Sequence, residues 1–324
     1  MDALALVDLD RPPASDHAFR RAVRDAAGTQ RVLVGVATAP VAGARRALLE
    51  ALSCSLLPPG AGPAPTTCAA VPDLDAAVTA LTATVAAAPQ AATVLVPLLR
   101  LTSALPVHEG LVAESLAYSM LLAGEEFAAW RAGRTAREAP SPAEPPVLLA
   151  REGDVLVVTV SRPERRNAYG LAVRDALLEA LAVAAHDPSL QVLLRGAGPA
   201  FCSGGDLDEF GTAPGVVTAH AVRLERSAGL VLHALRDRVT VQVHGACVGA
   251  GVELPSFAGR VVAQDGTWFQ LPELAMGLVP GAGGTVSLTR RIGRWRTAWM
   301  ALSADRVDVP TAVEWGLVDE VAGA

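Results

Sequence analysis

The chain has 324 residues, enough for one large or two ordinary domains, and its formal net charge of −6 argues against general nucleic-acid binding. Its hydrophobic share of 51 % is inflated by alanine, and no run approaches the roughly 20 apolar residues of a membrane-spanning helix. Every basic residue is arginine, which excludes Schiff-base chemistry through a lysine.

The opening residues, Met1 to Asp10, are acidic where a secretory leader carries basic residues, so a soluble, cytoplasmic protein is expected. Strands are predicted over residues 3–7 and 31–36, helices over 16–26 and 42–52, and a loop over 58–65. No chemistry is assigned to these first seventy residues, and His17 reads as a solvated helix residue. Cys54, Cys68, Cys202 and Cys247 lack metal-ligand spacing and are expected to be buried small hydrophobes, with no metal site.

From Asp73 the pattern turns helical. Asp73 can cap a helix over residues 74–88 that Pro89 ends, and residues 91–101 form a second apolar segment. A long amphipathic pattern over 107–137 puts Leu111, Leu116, Met120, Leu121, Phe127 and Trp130 to one side, which reads as core or subunit interface. The proline-rich stretch that follows marks a linker, dividing the chain into residues 1–138, 139–147 and 148–324.

Beyond the linker, strands and helices alternate. Strands are predicted over 155–160, 191–195, 239–243, 260–263 and 267–270, and helices over 171–186, 220–235 and 285–292. Such alternation implies a largely parallel, layered α/β fold. Two strand ends are glycine-rich: Phe201-Cys-Ser-Gly-Gly-Asp-Leu207, and His244-Gly-Ala-Cys-Val-Gly-Ala-Gly-Val-Glu253. Each can offer an unpaired backbone N–H, and two such donors make an oxyanion hole; tight strand–helix packing is the plainer alternative. Pro255 requires its helix to begin near Gly251, which would set a positive helix end beside the Ala250 N–H. Asp206 reads as the cap of a helix after the first turn, and His244 as structural.

Arg162-Pro163 with Asn167-Ala168, the two glycine turns, and Leu271-Pro-Glu-Leu followed by Gly277-Leu-Val-Pro-Gly-Ala-Gly-Gly-Thr285 occur in that order. Together they resemble the enoyl-CoA hydratase/isomerase (crotonase) superfamily over about residues 148–324. The resemblance implies a crotonase-like ββα spiral core, here with an N-terminal α/β and helical region. It also implies an acyl-CoA substrate whose enolate is held by the N–H groups of Gly205 and Ala250, alanine standing where the family has glycine. Glu253 and Glu273 fall on the family's two catalytic acid positions, and Gly281 on the position whose N–H holds the water. CoA would be carried as part of the substrate, with no separate cofactor. Arg162, Arg165 and Arg166 lie on the loop near the nucleotide, with Ser203 and Asp206 on the first turn as further contacts. A homo-oligomer, trimer or hexamer, is also implied.

Keeping both acids favours hydration over isomerisation or cofactor-free oxygenation, and it argues against a catalytically silent subunit. Two departures stand out. Gly259 replaces a family-typical acid, and the chain stops at Ala324, where the family continues into a helical lobe that closes the acyl pocket. Residues 73–138 resemble that lobe. They are expected to stand in for it, packing against residues 278–292 in cis or from a neighbouring subunit.

Overall fold

The structure is a computed structural model that describes residues 3–11, 13–39, 41, 45–60, 64–135 and 145–323. Most of the expected linker therefore lies outside the described residues. The N-terminal unit holds β1 (Leu4–Asp8), α1 (Asp16–Gly28), β2 (Val32–Val36), α2 (Arg46–Ala51), β3 (Cys54–Leu57) and β4 (Cys68–Ala70). Its strands pair in parallel in the order β1-β2-β3-β4. β3 and β4 are not among the strands expected from the sequence. β3 is buried at every position, so it lacks the polar–apolar alternation that would mark a strand.

Four helices follow: α3 (Leu74–Ala87), α4 (Pro89–Thr102), α5 (Val107–Leu122) and α6 (Glu125–Ala132). Asp73 caps α3 by accepting from the Ala76 N–H, and Pro89 both ends that helix and opens the next. Among the described residues no single helix is long and apolar enough to cross a membrane; α3 and α4 pass that test only together, and they meet at 106°. The single helix expected over 107–137 breaks at Gly124, whose N–H turns back to the Leu121 carbonyl. The expected apolar stripe divides as well. Leu111, Leu121 and Phe127 are buried, whereas Leu116 and Met120 are exposed. On α5 the buried face runs through Leu111, Glu114, Tyr118 and Leu121, and residues 116 and 120 point the other way.

The remaining chain contains β5 (Val147–Glu152), β6 (Val155–Val160), α7 (Leu171–His186), β7 (Gln191–Gly196), α8 (Val216–Glu225), α9 (Ala228–Ala234), β8 (Val239–Val243) and β9 (Ala246–Val248). After them come α10 (Ala250–Glu253), β10 (Arg260–Ala263), β11 (Trp268–Gln270), α11 (Gly284–Arg291), α12 (Gly293–Ser303), β12 (Val307–Asp308), α13 (Val309–Trp315) and β13 (Glu320–Val321). The helix expected over 220–235 is interrupted at Ser227, whose hydroxyl caps α9 through the Leu230 N–H. The large sheet runs β13-β10-β8-β7-β6-β5 and is parallel except for β5. A smaller sheet, β12-β11-β9, is extended by isolated bridges pairing Cys202 with Cys247 and Tyr169 with Gly205. A long strand, a short strand or bridge, and then a helix recur along the chain; this is a crotonase-like ββα spiral.

One hydrophobic core runs from Val32 to Val318 and so joins the N-terminal unit to the spiral. Arg294 and Trp295 of α12 donate to the Glu50 carbonyl, and Arg296 donates to that of Ala64. Helices α3 to α6 lie against α11, α12 and the turn at Glu273–Met276 in the same chain. Thr102 Oγ1 donates to the Thr285 carbonyl at 2.7 Å, and the Gly110 backbone abuts Val286.

Candidate active site

The two glycine turns are laced side by side. The Phe201 N–H donates to the His244 carbonyl, Cys202 N–H to Ala246, and Val248 N–H to Cys202. Asn167, fully buried, fixes the neighbouring turn: its Oδ1 accepts from the Arg162 N–H, and its Nδ2 donates to the Ala197 and Ala200 carbonyls. Both turns use one local device. Gly204 (φ 101°) and Gly249 (φ 49°) take positive φ immediately before Gly205 and Ala250, a conformation that costs a residue with a Cβ. The kink turns the next N–H away from the sheet. The bridge between Tyr169 and Gly205 is made by the Tyr169 and Asp206 N–H groups, and neither the Gly205 nor the Ala250 N–H donates to a protein acceptor among the described residues.

α10 begins at Ala250, as Pro255 requires, but it is a single turn that gives way to a 3-10 turn at Pro255–Phe257. Its dipole adds little, because few peptide units align. The helix instead delivers Glu253 to the interior.

Gly205, Ala250, Glu253, Glu273 and Gly281 all line one cavity of about 700 Å³. Glu253 Oε2 accepts from the Ala282 and Gly284 N–H groups, each at 2.8 Å. Burial pushes its carboxyl up to about 7, and those two donors oppose the shift. Glu273, also buried, has one oxygen without any hydrogen-bond partner among the described residues. Burial first and the Glu253 charge second push its carboxyl well above the ordinary range. The neutral acid is therefore favoured at Glu273, and the anion is easier to hold at Glu253. Gly249 also makes room for this arrangement, since a Cβ there would lie 2.6 Å from Glu273 Oε1.

A third acid enters from the N-terminal helices. Glu114 of α5 is buried; its Oε1 accepts from the Gly283 N–H at 2.7 Å, and its Oε2 from the Thr285 N–H and hydroxyl. Burial and the nearby Glu253 push it up to about 8. The Tyr118 ring packs directly on Gly281, whose own N–H has no protein acceptor among the described residues. Sequence reading missed Glu114, although a signal was available: an acid on the buried face of an amphipathic helix.

Ser203 and Asp206 line the cavity, but Asp206 caps no helix, because the next one begins only at Val216. Its carboxylate instead accepts from Arg165, which also pairs with Asp208. The three arginines expected near the nucleotide do not line the cavity. Arg162 is buried beside Glu164, Arg165 is held by its two aspartates, and Arg166 is exposed. The cationic side chains on the cavity wall are Arg174 and Arg223. His244 bonds the Gly198 carbonyl at 2.9 Å, a structural contact. Gly259 suits its place, since a Cβ would lie 2.4 Å from the Arg236 carbonyl oxygen. All four cysteines are buried and unpaired, and burial pushes the Cys202 thiol up to about 12.

The family model for enoyl-CoA hydratase/isomerase matches residues 150–324. The 2,3-dehydroadipyl-CoA hydratase of Escherichia coli K12 is 34 % identical over 176 residues, covering 54 % of this chain and 68 % of the relative. Mevalonyl-coenzyme A hydratase SIDH of Beauveria bassiana is 34 % identical over 176 residues, covering 52 % and 63 %. The 1,2-epoxyphenylacetyl-CoA isomerase of Escherichia coli K12 is 31 % identical over 180 residues, covering 54 % and 69 %. The chain thus spans about two thirds of the length of these curated relatives. Among solved structures, enoyl-CoA hydratase from Thermoplasma volcanium GSS1 has a TM-score of 0.51 at 28 % identity, covering 56 % of this chain and 73 % of that one. Enoyl-CoA hydratase of Mycobacterium smegmatis gives 0.51 at 31 % identity, covering 55 % and 70 %. With the spiral, the paired turns and this match over more than half its length, the chain belongs to the enoyl-CoA hydratase/isomerase (crotonase) family.

Proposed function

We propose that the protein is an enoyl-CoA hydratase-like lyase, adding water across the α,β-double bond of an acyl-CoA thioester or removing it. The observation that carries this reading is the pair of buried carboxyls in unequal surroundings, on a cavity wall that also bears two N–H groups without a protein acceptor among the described residues. The thioester oxygen takes the place between the Gly205 and Ala250 N–H groups, each worth roughly 3–4 kcal/mol to the developing enolate. The Glu253 carboxylate accepts a proton from water as the water oxygen bonds to Cβ. The enolate then collapses as Glu273, held neutral, gives its proton to Cα. Exchange with solvent returns the proton from Glu253 to Glu273. The Gly281 N–H orients the water.

Helices α3 to α6 act as the lobe that closes the acyl pocket, a role supported by Tyr118, Leu122 and Trp130 on the cavity wall. Arg166 has the open guanidinium of the loop trio and suits a nucleotide phosphate. The test is loss of enoyl absorbance from a short enoyl-CoA, with wild type and with Glu273→Gln. Hydration that vanishes in the variant supports the proposal. Double-bond migration without hydration would mark an isomerase, and no turnover of any CoA ester a silent subunit.

A further inference from the structure

Arg223 of α8 is partly buried where α8 crosses α5. Its Nε donates to Ser115 Oγ at 3.1 Å, and its Nη2 to the Ser115 carbonyl at 3.4 Å and to Ser119 Oγ. The guanidinium lies over the Tyr118 ring, 4.8 Å from its centre. Its Nη1 donates to no protein group, and no carboxylate pairs with Arg223 among the described residues. Arg174, the other cation on the wall, is paired with Asp175 at 2.9 Å. Glu114 acts on the Arg223 guanidinium only through space, without an ion pair; partly withdrawn from water, its planar fork keeps an open Nη1 that matches a carboxylate.

Its position follows from a chain of contacts. The Gly205 and Ala250 N–H groups, Glu253 and Glu273 share the wall of this cavity with Arg223. Glu253 is bonded to Ala282, Gly281 abuts the Tyr118 ring, and that ring carries Arg223. An acyl chain whose carbonyl lies at the two N–H groups, with Cα and Cβ between the acids, therefore continues past Tyr118 to Arg223. Leu122, Val222 and Met276 give the same wall an apolar surface for methylenes.

We infer that the acyl chain of the substrate ends in a carboxylate received by Arg223, so that the substrate class is the CoA monothioesters of unsaturated dicarboxylic acids. The inference rests on the thioester reading above. It is tested with two enoyl-CoA substrates of equal length, one ending in a carboxylate and one in a methyl group. The wild-type protein should favour the carboxylate by about 100-fold or more in kcat/KM, because a site built to bond a polar group discriminates strongly against an analogue lacking it. Arg223→Met should reduce that ratio by about 100-fold. The double variant Ser115→Ala, Ser119→Ala loosens the tie between α5 and α8 but keeps the cation, so it should preserve the ratio. Equal losses on both substrates in Arg223→Met, or a wild-type preference for the methyl-ended chain, overturn the inference and leave Arg223 a strap between helices. Turnover of neither substrate overturns the thioester reading itself, and the inference with it.

Discussion

Glu114 and Glu253 divide between them four consecutive backbone N–H groups: residues 282 and 284 donate to Glu253, and residues 283 and 285 to Glu114. Successive amides of this segment point to opposite sides, with Gly283 at φ 103° allowing the turn. One acid comes from α10 in the spiral, the other from α5, which precedes the proline-rich stretch. The N-terminal helices therefore hold, from behind, the same loop that holds the acid facing the cavity.

Glu114→Ala should destabilise the protein by about 3 kcal/mol, since it strands two buried N–H groups and the Thr285 hydroxyl without partners. Chemical denaturation of wild type and variant checks this. A loss below about 1 kcal/mol would mean that the loop finds other acceptors.

Glu253→Gln and Glu273→Gln should each lower hydratase kcat by about 10²- to 10⁴-fold while leaving KM within a few-fold, because proton transfer is lost and binding surface is kept. Steady-state kinetics decide the matter. A rise in KM at unchanged kcat would assign either acid to binding alone.

Ala250→Pro isolates one oxyanion donor. Position 250 opens α10, where proline is tolerated, so the substitution removes the N–H without breaking the helix. We expect kcat to fall by at least about 10²-fold. Thermal unfolding of the variant should stay close to wild type, and activity near the wild-type level would remove Ala250 from the mechanism.

The acid cluster also sets a pH dependence of stability. Glu114, Glu253 and Glu273 all titrate higher in the folded chain than the ordinary 4.5, Glu114 up to about 8. Between those values the folded state binds more protons than the unfolded one, so stability falls as pH rises through that window and levels off above it. Urea midpoints should therefore decline from about pH 5 to about pH 9, and Glu114→Gln should flatten the slope. A midpoint that stays level across that range would show the acids to be ionised throughout.

Both glycine turns are legible in the amino-acid sequence because the feature that makes them is local. A glycine free to take positive φ at 204 or 249 turns the following N–H outward whatever surrounds it. The same holds for the helix over 171–186, whose apolar spacing matches its buried residues Val173, Leu177, Ala180, Leu181 and Ala184. Asp206 misled because an acid after a glycine turn has the local signature of a cap, yet its partner is Arg165, forty-one residues earlier. Nothing near Arg165 in the chain announces that pairing.

Sequence alone thus determined the backbone devices, the alternation that builds the spiral, and the positions of Glu253 and Glu273. Only tertiary structure decided that Tyr118 of an N-terminal helix completes the cavity while Glu114 braces the loop behind it, that the loop arginines do not line it, and that Arg223 stands on its wall without an ion pair among the described residues. The division has a physical cause. Dihedral preferences and amphipathic period act between near neighbours in the chain, whereas burial and charge pairing depend on contacts between residues far apart in sequence.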